Sequence, residues 1–213
     1  MNLPGSLAFD SAGNLYVSNP GFIEKFTPAG VGSLFATFGT KGPVGLAFDS
    51  AGNLYVSNFD STIEKFTPGG VRSLFASTGL NGPNGLAFDS AGNLYAANAG
   101  NNTIEKFTPA GVGSIFAGTG LSGPAGLAFD SAGNLYAANS DNDTIVKFNP
   151  GGGIGSVFAD ASNGLNVPYF LAFTDDFGVP FPLPNQVPEP SPWVLLALSL
   201  AVLPGLSRPR RRA

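Results

Sequence analysis

Three sets of oxygen-bearing side chains stand where this sequence could do chemistry. Four aspartates, Asp10, Asp49, Asp89 and Asp130, each follow Leu-Ala-Phe and precede Ser-Ala-Gly-Asn. Three glutamates, Glu24, Glu64 and Glu105, each stand between Ile and Lys. The run Asn139-Ser140-Asp141-Asn142-Asp143 is the densest oxygen cluster. Histidine and cysteine are both absent from the 213 residues. That excludes an imidazole base, a thiolate nucleophile, a disulfide and every Cys/His metal site.

Each set also has a structural account. A calcium loop needs several oxygens converging on one centre, whereas each aspartate sits alone before a Gly-Asn turn. There its carboxylate is suited to accept backbone N–H bonds. The glutamates recur at one repeat position beside a lysine, so they read as cross-strand or exposed charges. Asp141 and Asp143 are the candidates for a bound cation. Their run lacks the glycine and the distal glutamate of a calcium-loop motif, so no metal and no cofactor are expected. The sequence has no phosphate loop and no serine-nucleophile setting, and an enzyme is not expected.

The elements that place these residues repeat. Leu-Ala-Phe-Asp-Ser-Ala-Gly-Asn-Leu-Tyr begins at Leu7, Leu46, Leu86 and Leu127 without a change. Ile-Glu-Lys-Phe-Thr-Pro follows at Ile23, Ile63 and Ile104, with Ile-Val-Lys-Phe-Asn-Pro at Ile145. A Ser-x-Phe-Ala block follows at Ser33, Ser73, Ser114 and Ser156. Units of about 40 residues with this internal order indicate a repeat architecture.

Each unit reads as four short strands. In the second they are Gly45–Asp49, Leu54–Ser57, Ile63–Phe66 and Val71–Ala76, joined by an Asp-Ser-Ala-Gly-Asn turn, a variable loop and a Thr-Pro-Gly-Gly turn. Apolar residues fall on both faces, Leu46 and Phe48 on one and Ala47 on the other, so the sheets must be sandwiched between neighbours. No 3.6-residue apolar period runs through any unit, which excludes a helical solenoid.

Blocks of the form Gly-Leu-Ala-Phe-Asp-x-x-Gly-Asn-Leu-Tyr-Val-x-Asn, followed by Ile-x-Lys-Phe, resemble the NHL repeat family over residues 3–176. The resemblance implies an all-β fold, a β-propeller of four-stranded blades. The units run at about 4–43, 44–83, 84–124 and 125–166, with a partial fifth at 167–176 that begins as an orphan inner strand. Family repeats usually carry Asp where Asn19, Asn58, Asn98 and Asn139 stand here, and these asparagines read as side-chain caps on a loop. Family propellers usually have six blades, so four are expected to form an open or strained arc. Because Met1 enters a repeat directly, the reading frame is expected to continue upstream, through a signal peptide and the missing strands.

Residues 177–186 form a Pro-rich linker. Then come Pro188-Glu189-Pro190, an apolar run Trp193–Leu206, and Arg208, Arg210, Arg211 and Arg212. That run is 14 residues, short of the roughly 20 a spanning helix needs. The order over 187–213 resembles the PEP-CTERM sorting signal, and a short apolar C-terminal helix is expected. The resemblance implies recognition of Pro188, Glu189 and Pro190 by an exosortase-type enzyme, transient membrane anchoring, and the envelope or surface of a Gram-negative bacterium that secretes exopolysaccharide. The bland alternative is an ordinary hydrophobic segment with a stop-transfer cluster.

Charge agrees with two parts. Residues 1–186 hold 13 acids and 6 bases, while the tail holds Glu189 against four arginines. The body repels nucleic acid, and no nucleic-acid partner is expected. The loops after the second strands vary: Asn58-Phe59-Asp60, Asn98 to Asn101-Asn102, and Asn139 to Asp141-Asn142-Asp143. The hairpin turns at the opposite face scarcely vary. Varied loops on a rigid scaffold suggest a binding face for a polysaccharide or protein partner; drift in unconstrained loops is the plain alternative. The rival function is a sugar-lactone hydrolase or lyase of a related propeller family.

Overall fold

The computed structural model describes residues 5–38, 42–174 and 194–199. Four antiparallel four-stranded sheets follow one another along the chain. The first holds β1 (Leu7–Phe9), β2 (Leu15–Asn19), β3 (Phe22–Phe26) and β4 (Gly32–Thr37). The second holds β5 (Pro43–Phe48), β6 (Leu54–Asn58), β7 (Thr62–Phe66) and β8 (Arg72–Ala76). The third holds β9 (Pro83–Phe88), β10 (Leu94–Asn98), β11 (Thr103–Phe107) and β12 (Gly113–Ala117). The fourth holds β13 (Pro124–Phe129), β14 (Leu135–Asn139), β15 (Thr144–Phe148) and β16 (Ser156–Ala159).

Alternation along each strand builds two apolar faces per sheet. In the second, Leu46, Phe48, Leu54, Val56 and Phe66 form one face, packed on Tyr16 and Ile23 of the first sheet and on Phe38 just after it. Tyr55, Ile63 and Ala76 form the other, packed on Leu86, Leu94, Ala96 and Phe107 of the third. The same join recurs between the third and fourth sheets, where Tyr95 and Ile104 meet Leu127, Leu135 and Phe148. Tyr16, Tyr55 and Tyr95 are each wedged edge-on between two phenylalanines, as Tyr55 is between Phe75 and Phe88 with centroids 4.9 and 5.0 Å away. Sheets buried on both faces and stacked in sequence are the blades of a β-propeller, as expected.

Close approach of the blades depends on one glycine in each of β5, β9 and β13. A Cβ on Gly45 would collide with the backbone carbonyl of Asn84, and one on Gly126 would lie 2.6 Å from the Tyr169 carbonyl oxygen. Only glycine lets the inner strands pass this closely.

β17 (Pro168–Thr174) follows the fourth blade after one 3-10 turn at Ala161–Asn163. Leu171 packs against Tyr136 and Ile145. Two expectations need correction here. The fifth inner strand is not an orphan, because β18 (Val194–Ser199) pairs antiparallel with it, Phe170 opposite Leu198 and Ala172 opposite Leu196. The apolar tail segment, where described, is therefore a strand and not a helix. The edge of β17 offers a row of backbone donors and acceptors, and a short Val- and Leu-rich segment satisfies them by adding a strand. An isolated helix of that length is marginal in water. The sorting motif Pro188-Glu189-Pro190 and Arg208, Arg210, Arg211 and Arg212 lie outside the described residues.

The array is open at the first blade. Leu7 and Phe9 are 61% and 60% exposed, whereas their counterparts Leu46 and Phe48 are buried. Among the described residues no sheet covers that face.

Candidate ligand-binding face

Strand order within a blade puts both hairpin turns at one end and the loops after the second strands at the other, together with the inter-blade connections.

At the hairpin end each blade builds the same four-residue unit. Asp49 Oδ1 accepts from the backbone N–H groups of Ala51 and Asn53, and its Oδ2 accepts from the Asn53 side-chain amide at 2.7 Å. Gly52 follows at φ 78°, a conformation glycine adopts without strain. Lys65 Nζ lies 3.9 Å from the same carboxylate and 5.2 Å from the Tyr55 ring centroid. Asp10 with Asn14, Tyr16 and Lys25, and Asp89 with Asn93, Tyr95 and Lys106, repeat this arrangement. Asp130 accepts from Asn134 and from the Tyr136 hydroxyl, with Lys147 over the tyrosine ring.

The electrostatics follow. Burial works to raise the Asp10 carboxyl, but hydrogen bonds from Asn14 and Ala12 and the nearby Lys25 hold it below the usual range. Lys25 and Lys106 are pushed up chiefly by their tyrosine hydroxyls, against the effect of burial. Burial raises Tyr55 and Tyr95. These aspartates are turn caps, each fully engaged within its own hairpin.

Of the two readings of the glutamates, cross-strand and exposed, the structure gives Glu64 a cross-strand partner and denies exposure to two of them. Glu64 and Glu105 are buried, not exposed. Glu64 pairs with Arg72, which stands where the other units have Gly32, Gly113 and Gly155. Glu105 has no such partner among the described residues, and burial raises its carboxyl. The fourth blade has Val146 at this position.

At the loop end the predicted residues separate into two groups. Asn58, Asn98 and Asn139 are fully buried. Asn98 donates through Nδ2 to the Gly79 carbonyl and to Thr103 Oγ1, and its Oδ1 accepts from the Asn81 amide. Asn139 repeats all three contacts with Gly120, Thr144 and Ser122. Asn58 donates to Thr62. They hold loops together, as the capping reading expects, and offer nothing to a ligand at the surface.

The exposed loops prove more uniform than their sequences. Asp60, Asn101 and Asn142 each accept from the threonine two residues on, at 2.5–2.9 Å. Ser61, Asn102 and Asp143 all have φ between 56° and 60°, and each accepts from a backbone N–H entering the next blade. Those donors are Gly82, Gly123 and Val167, the last at 2.6 Å. Sequence reasoning missed Ser61, because a serine gives no hint that it replaces Asn102 and Asp143; its place before the shared threonine is the only signal. What differs between blades is the residue above the incoming glycine. Phe59 stands over Gly42, Gly100 over Gly82 and Asp141 over Gly123. Phe59 is 74% exposed. No group of three or more acidic residues able to hold a metal ion occurs among the described residues, and Asp143 is engaged by Val167.

No helix among the described residues is long and apolar enough to cross a membrane. Comparison with curated proteins returned no match. Among solved structures, virginiamycin B lyase from Staphylococcus aureus superposes with a TM-score of 0.67 at 18% identity, covering 78% of this chain and 58% of its own. A nidogen/laminin complex gives 0.68 at 24% identity, over 76% and 66%. A catalytically inactive histidine-to-alanine variant of the lyase, with quinupristin, gives 0.66 at 18%, over 79% and 59%. The chain thus spans about three-fifths of the length of these structures. Residues 80–107 match the family model described as the NHL repeat, and the blade geometry together with these superpositions shows a β-propeller fold.

Proposed function

We propose that this protein is a non-enzymatic binding propeller, exported to the cell surface, whose loop end holds a polysaccharide. One observation carries the binding reading. Above the incoming glycines of successive blades, Phe59, Gly100 and Asp141 present an aromatic ring, bare backbone and a carboxylate, all exposed. An exposed aromatic ring gives an apolar platform for the C–H face of a sugar. Asp60 next to it, and Asn101, Asp141 and Asn142 at the same end of the following blades, carry carboxylate and amide groups for hydroxyls.

The rival, a hydrolase or lyase, gains only a fold from the solved lyases. The inactive variant of that lyase lacks one histidine, and this chain contains none. The export part of the reading rests on the order Pro188-Glu189-Pro190, apolar run and arginines, which fits processing by an exosortase-type partner.

The binding test is a glycan array probed with the full chain, repeated with Phe59→Ala and Asp141→Ala. Retention of a glycan class by the wild type, weakened at least tenfold by either substitution, is the expected result. A blank array beside specific capture of a protein would move the ligand to the protein class. For export, replacing Pro188-Glu189-Pro190 by alanines in an exosortase-bearing host should stop tail processing; unchanged processing would remove the sorting reading.

A further inference from the structure

The repeat holds one carboxylate position in three different states. In the second blade Glu64 is buried and paired with Arg72 across β7 and β8. Arg72 stands two residues before Leu74, the residue opposite Glu64, so both side chains project from one face. The arginine side chain is 38% exposed and the glutamate 4%, so the guanidinium reaches the carboxylate from the water side. In the fourth blade both charges are gone, with Val146 and Gly155 in their places. The third blade keeps the glutamate, Glu105, but has Gly113 at the register position of Arg72.

Glu105 is 6% exposed, and among the described residues nothing pairs with it or donates to it. A buried carboxylate without a partner is costly to keep. Its cover is thin. A Cβ built on Gly79 or Gly113 would lie 2.7 or 3.0 Å from Glu105 Oε1, and both glycines are exposed. The missing side chains leave open the approach that Arg72 fills one blade earlier. Thr78 also stands where the second blade's site has Phe38, whose ring lies 5.2 Å from the Arg72 guanidinium. A smaller residue there widens the same approach. Glu24, with Gly32 beside it, is only half-buried. Of the three glutamates, Glu105 alone combines burial with a missing cation.

We propose that Glu105 is a binding site for a guanidinium group, which enters over Gly113 between the second and third blades as Arg72 does on Glu64. A guanidinium suits a buried carboxylate better than an ammonium, because it is less strongly hydrated and presents its donors in a fixed fork. The group has two sources: an arginine side chain of a partner protein, or Arg208, Arg210, Arg211 and Arg212 of the chain's own tail. The site is independent of the glycan reading, since Phe59 and Asp141 take no part in it.

The test uses the full chain with N-acetyl-arginine amide at about 10 mM, and the uncharged citrulline compound in matched salt as control. A dissociation constant of about 1 mM would leave about ten occupied sites for each empty one and raise the melting temperature. Wild type should show that rise with the arginine compound only, and Glu105→Gln should lose it. Gly113→Arg rebuilds the Arg72 pair from within, so it should melt higher than Gly113→Gln and ignore the probe. A silent wild type, beside a response once all four tail arginines are changed to glutamine, supports the proposal and assigns the site to the tail. Silence in both chains overturns it. An equal rise with the citrulline compound, or in Glu105→Gln, does the same. So does a Gly113→Arg variant no more stable than Gly113→Gln.

Discussion

The hydroxyl of Ser57 bridges two blades: it accepts from the Gly45 amide at 2.8 Å and donates to the Asn84 carbonyl at 2.6 Å. Ser18 makes the corresponding link to the Val44 carbonyl at 2.8 Å. At this position the third and fourth blades have Ala97 and Ala138, both buried. The repeat therefore contains its own comparison. Ser57→Ala is expected to destabilise by about 1–2 kcal/mol, since a buried amide and a carbonyl lose their partner together. Ala97→Ser should add the same bridge toward Ala125 and gain up to about 1 kcal/mol. Urea denaturation of both variants checks this. No loss in Ser57→Ala would mean that water restores both bonds.

What the sequence disclosed and what it withheld divide along the range of the contacts. Turns such as Asp49 to Asn53 are closed by residues a few positions apart, so composition and spacing foretold them. The second-unit strands came within two residues of β5, β6, β7 and β8. The Ser57–Asn84 bridge spans 27 residues, and no local pattern marks it. The pairing of Val194–Ser199 with β17 was hidden for a related reason. A short apolar run is compatible with helix or strand, and the free edge elsewhere in the chain decides between them. At the loop end, sequence variation does not always mean a change of bonding. Ser61, Asn102 and Asp143 look different and make one bond.

Arg72 is the one unit-specific cation among the described residues, and its removal should be felt through Glu64. Its guanidinium engages the buried Glu64 carboxylate and lies 5.2 Å from the Phe38 ring centroid. Arg72 is partly exposed, which lessens the effect. Arg72→Gly, the residue of the other units, is expected to cost about 1–3 kcal/mol because a buried carboxylate loses its guanidinium. Glu64→Val with Arg72→Gly, the pairing found at Val146 and Gly155, should recover most of that. A double-mutant cycle by thermal denaturation measures it, and additive losses would show the two side chains to be uncoupled.

Glu105 makes the opposite case, a buried carboxyl with no cation beside it among the described residues. Its folded-state carboxyl is raised by burial above the usual range. The folded state therefore binds its proton more tightly than the unfolded chain does, and stability from this group is present below the unfolded value and lost as pH rises through the folded one. Asp10, held below the usual range, acts in the other direction, losing stability as pH falls. Glu105→Val, as at Val146, should gain about 1–2 kcal/mol at pH 7 and little at pH 4. The readout is the stability difference between variant and wild type across that interval. A difference that does not change with pH would show the carboxyl to be solvated in the fold.

Asp143 decides between a cation site and a structural pin. Its Oδ1 accepts from the Val167 amide at 2.6 Å, with its own backbone at φ 56°. Asn102, with the same φ, accepts from the Gly123 amide at 2.8 Å using an amide oxygen. If the oxygen and not the charge matters, Asp143→Asn should leave stability within about 0.5 kcal/mol, the range of an inconsequential surface change. Asparagine also tolerates the left-handed backbone. Asp143→Ala loses the acceptor and strains that backbone, so it should cost about 1–2 kcal/mol. The loss should appear first as faster amide exchange at Val167 and along β17, where the held strand begins. A calcium site predicts the reverse ordering, because trading carboxylate for amide removes the charge that holds the ion. Calcium at millimolar levels should then raise the melting temperature of the wild type and not of Asp143→Asn. Equal melting temperatures with calcium and with chelator, together with a silent asparagine and a costly alanine, are the outcome expected from the hydrogen bond to Val167.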